Sequence, residues 1–195
     1  VSAEITDLVG GTSGPDGVRF AGACEDVRII DTTIIQGRFL VNFETVTFSG
    51  TVHYPHYITI TGSHFDQPWV SALQTPNGTS GEFRPRGNMS ITASLFTNMR
   101  VEAGVGVGLI NLAAYVRGVS ITNSDFLYFQ STPAQRAISL ADTVSDIIIA
   151  NNVFENLAAG AGPNSTAIWA GVAGSGFIAR DNTCLNVGAC VYDVS

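Results

Sequence analysis

An octet of residues returns six times along this chain: VRIIDTTI at 27–34, ITITGSHF at 58–65, MSITASLF at 89–96, VSITNSDF at 119–126, IIIANNVF at 147–154 and FIARDNTC at 177–184. Successive octets start 31, 31, 30, 28 and 30 residues apart. A fixed period of this size marks a stack of equivalent units, each burying its apolar face against the next. The chain is expected to be a solenoid, with its function on the outside of the stack.

Inside each octet the first, third and eighth residues are mostly apolar, as in Val119, Ile121 and Phe126. Alternation of period two points the first and third side chains inward, and a change of phase at a corner turns the eighth inward again. Each octet is thus a strand, a corner and a second strand. The sixth position reads Thr32, Ser63, Ser94, Ser124, Asn152, Asn182. Asn tolerates left-handed backbone and Ser or Thr bonds the local main chain, so the bend is placed there, and stacking predicts a polar ladder.

A third strand fits about twenty residues after each octet begins, at 70–73, 109–112, 137–140, 166–170 and 189–192. Parallel strands need a crossover, and here the rest of the coil supplies it. The expected fold is all-β, with about six coils of 28–31 residues and three parallel sheets. The run Ile149, Asn152, Phe154, Asn156, with small-residue corners between strands, resembles the repeats of right-handed parallel β-helix proteins of the pectate-lyase-like and tailspike-like superfamily. The resemblance covers almost the whole chain and implies a single-stranded right-handed β-helix. It implies no one activity, because that scaffold carries polysaccharide lyases and hydrolases, phage tailspikes, adhesins and structural proteins.

Composition narrows the partners. The 195 residues are 45% hydrophobic and 13% charged with a net charge of −7, and all nine basic residues are arginine. Without a basic stripe to neutralise phosphate, nucleic acid is excluded as a partner. No apolar run is long enough for a membrane span, so no insertion is expected. No cofactor motif is present either: Gly104, Gly106 and Gly108 lack the spacing and strand-to-helix context of a dinucleotide loop. Cys184 falls at an inward eighth position and reads first as a small buried apolar residue; a disulfide to Cys190 on the following strand is the second reading, and metal ligation is not expected. Asn77, Asn88 and Asn164 each begin an acceptor triplet for N-glycosylation, which suits an extracellular, cell-surface or virion-surface protein. Residues 1–8 read as the end of an earlier coil and 189–195 stop after a third strand, so the single β-helix domain spanning 1–195 is expected to be a segment of a longer solenoid or assembly.

Two coils depart from the pattern at one corner. Residues 44–56 contain a hairpin-like stretch at 45–54, and 74–88 form a polar excursion. Side by side they would bring His53, Tyr54, His56, Glu82, Arg84 and Arg86 into one candidate binding neighbourhood, since loops on a rigid scaffold often carry function. A second candidate surface is a register of outward hydroxyls, Thr59 and Thr61, Ser90 and Thr92, Ser120 and Thr122, which resembles the arrays of ice-binding solenoids.

For glycoside hydrolysis two carboxyl groups must stand roughly 5 to 9.5 Å apart. Asp66 and Glu155 are three coils apart, about 14 Å, which is too far. Asp125 and Glu155 lie outward on neighbouring coils at about 8 Å and are the candidate catalytic pair, acid and base of an inverting arrangement. Asp142 and Asp146 read as corner residues. The outward third-strand ladder is expected to be Ser71, Asn111, Ser139, Trp169, which lacks the acidic cluster a calcium-dependent lyase would need. The reading preferred is a structural or adhesive β-helix module whose partners are copies of itself, adjoining β-helix segments or a polysaccharide; a carbohydrate-active enzyme is the alternative and an ice-binding surface the remote one.

Overall fold

Three columns of left-handed backbone set the shape of every coil. The computed structural model describes residues 4–5, 16–76, 88–98, 108–113, 116–127, 135–141, 144–156, 165–171 and 176–193. Immediately before the octets, Asp26, Tyr57, Asn88, Gly118, Asp146 and Gly176 have positive φ. Asp31, Gly62, Ala93, Asn123, Asn151 and Asp181 do so at the fifth octet position, and Gln36, Gln67, Asn98, Asn156 and Asn186 five residues later. One left-handed residue reorients the chain between straight strands, and Asn, Asp and Gly adopt that conformation at least cost. The octet bend therefore sits at the fifth position, not the sixth; the sixth points inward and has a different task.

The first face is a six-stranded parallel sheet of Arg28–Ile30, Ile58–Thr61, Met89–Thr92, Arg117–Thr122, Ser145–Ala150 and Phe177–Arg180, stacked in chain order. The other two faces are joined in one twelve-stranded sheet, so two parallel sheets form where three were expected. The cause is local. Thr33–Glu44 and His64–Gln74 run unbroken from the second face to the third, turning at Gln36 and Gln67, and their register shifts between Gly37 and Phe39. Later coils break at that corner, into Leu95–Thr97, Asp125–Leu127, Val153–Glu155 and Thr183–Leu185 on the second face and Gly108–Leu112, Gln135–Leu140, Ser165–Ala170 and Ala189–Asp193 on the third. Glu4–Ile5 and Val18–Ala21 pair in parallel with the two halves of Thr33–Glu44, as an earlier coil would. The 44–56 excursion holds a small antiparallel hairpin, Val46–Phe48 with Thr51–His53, closed through Ser49 and Gly50 at positive φ as a two-residue hairpin requires.

Inward side chains pile into columns. Phe65, Phe96, Phe126 and Phe154 are fully buried and stack at 5.0, 4.8 and 4.8 Å between ring centroids, which is the coil spacing itself. Ile60, Ile91, Ile121 and Ile149 form a second column and Leu73, Ile110, Ile138 and Ile168 a third. In the last coil Phe177, Ala179 and Cys184 are only partly buried, and the solenoid amounts to about four turns rather than six.

The sixth-position residues form the expected ladder inside the corner. Each backbone N–H donates to the side chain one coil on: Thr32 N to Ser63 Oγ (3.3 Å), Ser63 N to Ser94 Oγ (3.3 Å), Ser94 N to Ser124 Oγ (3.2 Å), Ser124 N to Asn152 Oδ1 (3.0 Å) and Asn152 N to Asn182 Oδ1 (3.0 Å). At a bend the main-chain donor has no strand partner, and a buried N–H must find one. A short hydroxyl or amide on the neighbouring coil is what fits.

Candidate functional site

The most developed surface lies on the third face of the early coils. Register places Arg19 on Asn42, Asn42 on Gln74, Gln74 on Asn111, Asn111 on Ser139 and Ser139 on Trp169. The ladder thus runs through Gln74, not Ser71 as the sequence suggested, with Gln74 and Asn111 half-buried and Asn42 and Ser139 buried. Ser71 is buried and donates to the Gly108 carbonyl at 2.8 Å. Gln74 and Asn111 are 37 residues apart, longer than the octet period, so counting by that period misses the pair.

Asn42, Gln74 and Asn111 line a groove of about 500 Å³ together with Arg38, Phe39 and Glu44. Asn111 Nδ2 donates to Gln74 Oε1 at 2.8 Å, Gln74 Nε2 to the Thr75 carbonyl at 2.7 Å, and Asn42 Nδ2 to Asp16 Oδ2 at 2.9 Å and Glu44 Oε1 at 3.0 Å. Buried Thr75 locks the groove wall, its backbone N–H donating to the Asn111 carbonyl and its Oγ1 accepting from Ala113 N. Among the described residues each charge lining the groove has its opposite beside it: Arg38 bonds Asp16 at 2.9 Å and lies over the Phe39 ring, and Glu44 pairs with Arg19. A primary amide offers two N–H donors and a carbonyl acceptor. A charge-balanced strip of amides and one aromatic ring is chemically matched to hydroxyl-rich, uncharged ligands. At the far end of the ladder the Arg136 guanidinium lies 3.6 Å from the Trp169 ring centroid, and burial lowers its pKa from the ordinary value.

The second face carries the acids. Asp125 pairs with Val153 and Leu127 with Glu155, so Asp125 and Glu155 are diagonal neighbours on adjacent coils, a relation worth about 7 to 8 Å. Asp125 is exposed, and Glu155 Oε1 accepts from Asn156 Nδ2 at 3.1 Å. Asp66, Thr97, Leu127 and Glu155 occupy successive rungs, which keeps Asp66 three coils from Glu155. Asp66 is also engaged on both oxygens: Oδ1 accepts from Thr97 Oγ1 at 2.7 Å and Asn98 Nδ2 at 2.8 Å, Oδ2 from Gln67 Nε2 at 3.1 Å. His64 Nε2 lies 2.8 Å from Thr97 Oγ1 and completes a tie between coils. This cluster carries no local motif, because its cross-coil pairs are 31 to 33 residues apart and become neighbours only once the register is known.

The hydroxyls are aligned. Thr59, Ser90 and Ser120 pair in one row, Thr61, Thr92 and Thr122 in the next, and Thr122 Oγ1 donates to Thr92 Oγ1 at 3.4 Å. The rows continue into Ile148 and Ala150 and end at Ile178 and Arg180. His53, Tyr54 and His56 gather at the hairpin base, with the Tyr54 and His56 rings 5.0 Å apart. Glu82, Arg84 and Arg86, the sequons at Asn77 and Asn164, Asp142, Gly104 and Gly106 lie outside the described residues. Cys184 and Cys190 form a disulfide with Cα atoms 5.8 Å apart, tying the second and third faces of one coil, so Cys184 is not the free buried thiol of the first reading. Among the described residues no group of three or more His, Cys, Asp or Glu is placed to hold a metal ion.

Fold and surface together define a parallel β-solenoid with an amide-lined groove on one face. No family model and no curated protein matches the chain. Among solved structures it is similar to an alginate lyase from Paenibacillus sp. str. FPU-7, at 16% identity and a TM-score of 0.47, over 91% of this chain and 70% of that one.

Proposed function

We propose that this chain is an adhesive β-solenoid module of an extracellular or surface protein, which holds a polysaccharide along its third face. The observation that carries the reading is the in-register strip Asn42, Gln74, Asn111, set in a groove whose charges are internally paired. Amides already held by hydrogen bonds, Gln74 by Asn111 and Asn42 by Asp16 and Glu44, are pre-ordered, so a hydroxylated ligand meets groups whose ordering cost is met in the fold. A glycan array followed by calorimetry on the best ligand tests this. Neutral polysaccharides should bind, and Asn111→Leu should weaken them at least tenfold while leaving the melting temperature within a few degrees. No binding to any neutral polysaccharide would sink the reading.

The diagonal placement of Asp125 and Glu155 favours one second reading, hydrolysis with inversion. Reducing-end release that disappears in both Asp125→Asn and Glu155→Gln would support it; release that survives either substitution would remove the pair from consideration.

A further inference from the structure

We propose that Asn88 carries an N-linked glycan, and that its first sugars cover an isoleucine-rimmed groove on the first face. Asn88, Met89 and Ser90 form an acceptor triplet. Met89 is fully buried in the core, which fixes the strand start, while Ser90 faces outward in the hydroxyl row. Asn88 itself is exposed at a corner with φ 65°. Its Oδ1 is turned onto Gly118 of the next coil, so close that a Cβ there would lie 2.5 Å from it. Asn88 therefore stands at the surface of the stack, where an acceptor side chain must be.

What surrounds Asn88 gives such a substituent a seat. A groove of about 730 Å³ is lined by Asn88, Arg117, Asp146, Ile148, Phe177 and Ile178. Ile148 is 41% and Ile178 56% exposed, at the end of a row that runs Arg28, Thr59, Ser90 and Ser120 before them. Two neighbouring exposed isoleucines make a small apolar patch that a substituent can cover. Gly118 and Gly176 also line the groove, and its mixture of polar side chains with the isoleucines and Phe177 matches a sugar ring, which has hydroxyl edges and an apolar face. The Cys184–Cys190 disulfide is an independent sign of an oxidising compartment, where N-glycosylation also occurs.

In the transfer step Asn88 Nδ2 bonds to the anomeric carbon of a lipid-linked oligosaccharide diphosphate. The bond from that carbon to the diphosphate oxygen breaks, the diphosphate leaves with the electron pair, and Nδ2 loses one proton. No oxidant or reductant is needed.

The experiment is glycopeptide mass mapping of the protein secreted from a eukaryotic host, with binding of an apolar fluorescent dye measured before and after enzymatic deglycosylation. Asn88 should be almost fully occupied. Asn88→Gln and Ser90→Ala should each remove one glycan, and Ser90→Thr should keep it. Deglycosylation should raise dye fluorescence several-fold, and the rise should vanish when Ile148→Ser and Ile178→Ser are combined. An unmodified Asn88 in the folded, secreted protein would overturn the acceptor assignment. Full occupancy with unchanged dye binding would overturn the seat.

Discussion

Replacing Asn152 with alanine isolates the internal corner ladder. Asn152 is 1% exposed; its Oδ1 accepts from Ser124 N at 3.0 Å, and its Nδ2 donates to the Ile121 carbonyl at 3.0 Å and to Asn182 Oδ1 at 3.1 Å. Asn152→Ala strands the Ser124 N–H in a dry corner and deprives Ile121 of a donor. A buried polar group left unpaired costs about 1 to 3 kcal/mol, so the two together should cost about 2 to 4 kcal/mol after partial relaxation. For a chain of this size about 1 kcal/mol moves the melting point by about 2 to 4 °C, which gives a fall of about 4 to 16 °C. Asn152→Ser should recover more than half of the loss, because Ser124 and Ser94 already accept the same bond through Oγ at their own coils. Urea unfolding followed by far-ultraviolet circular dichroism reads both variants. A loss under about 0.5 kcal/mol for Asn152→Ala, the level of an ordinary surface change, would refute the reasoning, as would a serine variant no better than the alanine one.

Three shorter expectations follow from other parts of the molecule. Reducing the Cys184–Cys190 bond, with a sequence separation of 6, should cost about 2 kcal/mol on the chain-entropy scale, and hydrogen exchange should localise the loosening to 177–193. Ala93 is exposed with φ 49° in a corner otherwise held by Asp, Gly and Asn, so Ala93→Gly should stabilise by up to about 1 kcal/mol and Ala93→Val should destabilise, both readable by chemical denaturation. Phe126 stacks at 4.8 Å on both sides, so Phe126→Ala should cost about 3 to 5 kcal/mol in the same assay, and a loss below about 1 kcal/mol would contradict a continuous core column.

Much of the fold was legible because its strongest signal is periodic and local. Inward Val119, Ile121 and Phe126 announced the coil, and Ser94, Ser124 and Asn152 the ladder. Two features misled. Asn at the fifth and sixth octet positions alike concealed which one bends, and the backbone answer, Asn123 and Asn151 at the fifth, needed φ. Register across an excursion is set by pairing and not by count, so Gln74 was missed as the partner of Asn111 and the groove with it. Arg38 and Asp16, 22 residues apart, and Asp66 with Thr97 and Asn98 carry no local motif; stacking alone makes them neighbours. The disulfide was open in the sequence because the coil path between Cys184 and Cys190 decides whether six residues bring two faces together.

The measurement closest to the central claim is a titration of isotope-labelled protein with a neutral oligosaccharide, following the side-chain amide signals by nuclear magnetic resonance. The account predicts saturable shifts confined to Asn42, Gln74 and Asn111, with the amides of Asn152 and Asn182 inside the corner unmoved. Shifts that fall on the first-face hydroxyl strands or around Asp125 and Glu155, with the three groove amides silent, would contradict it.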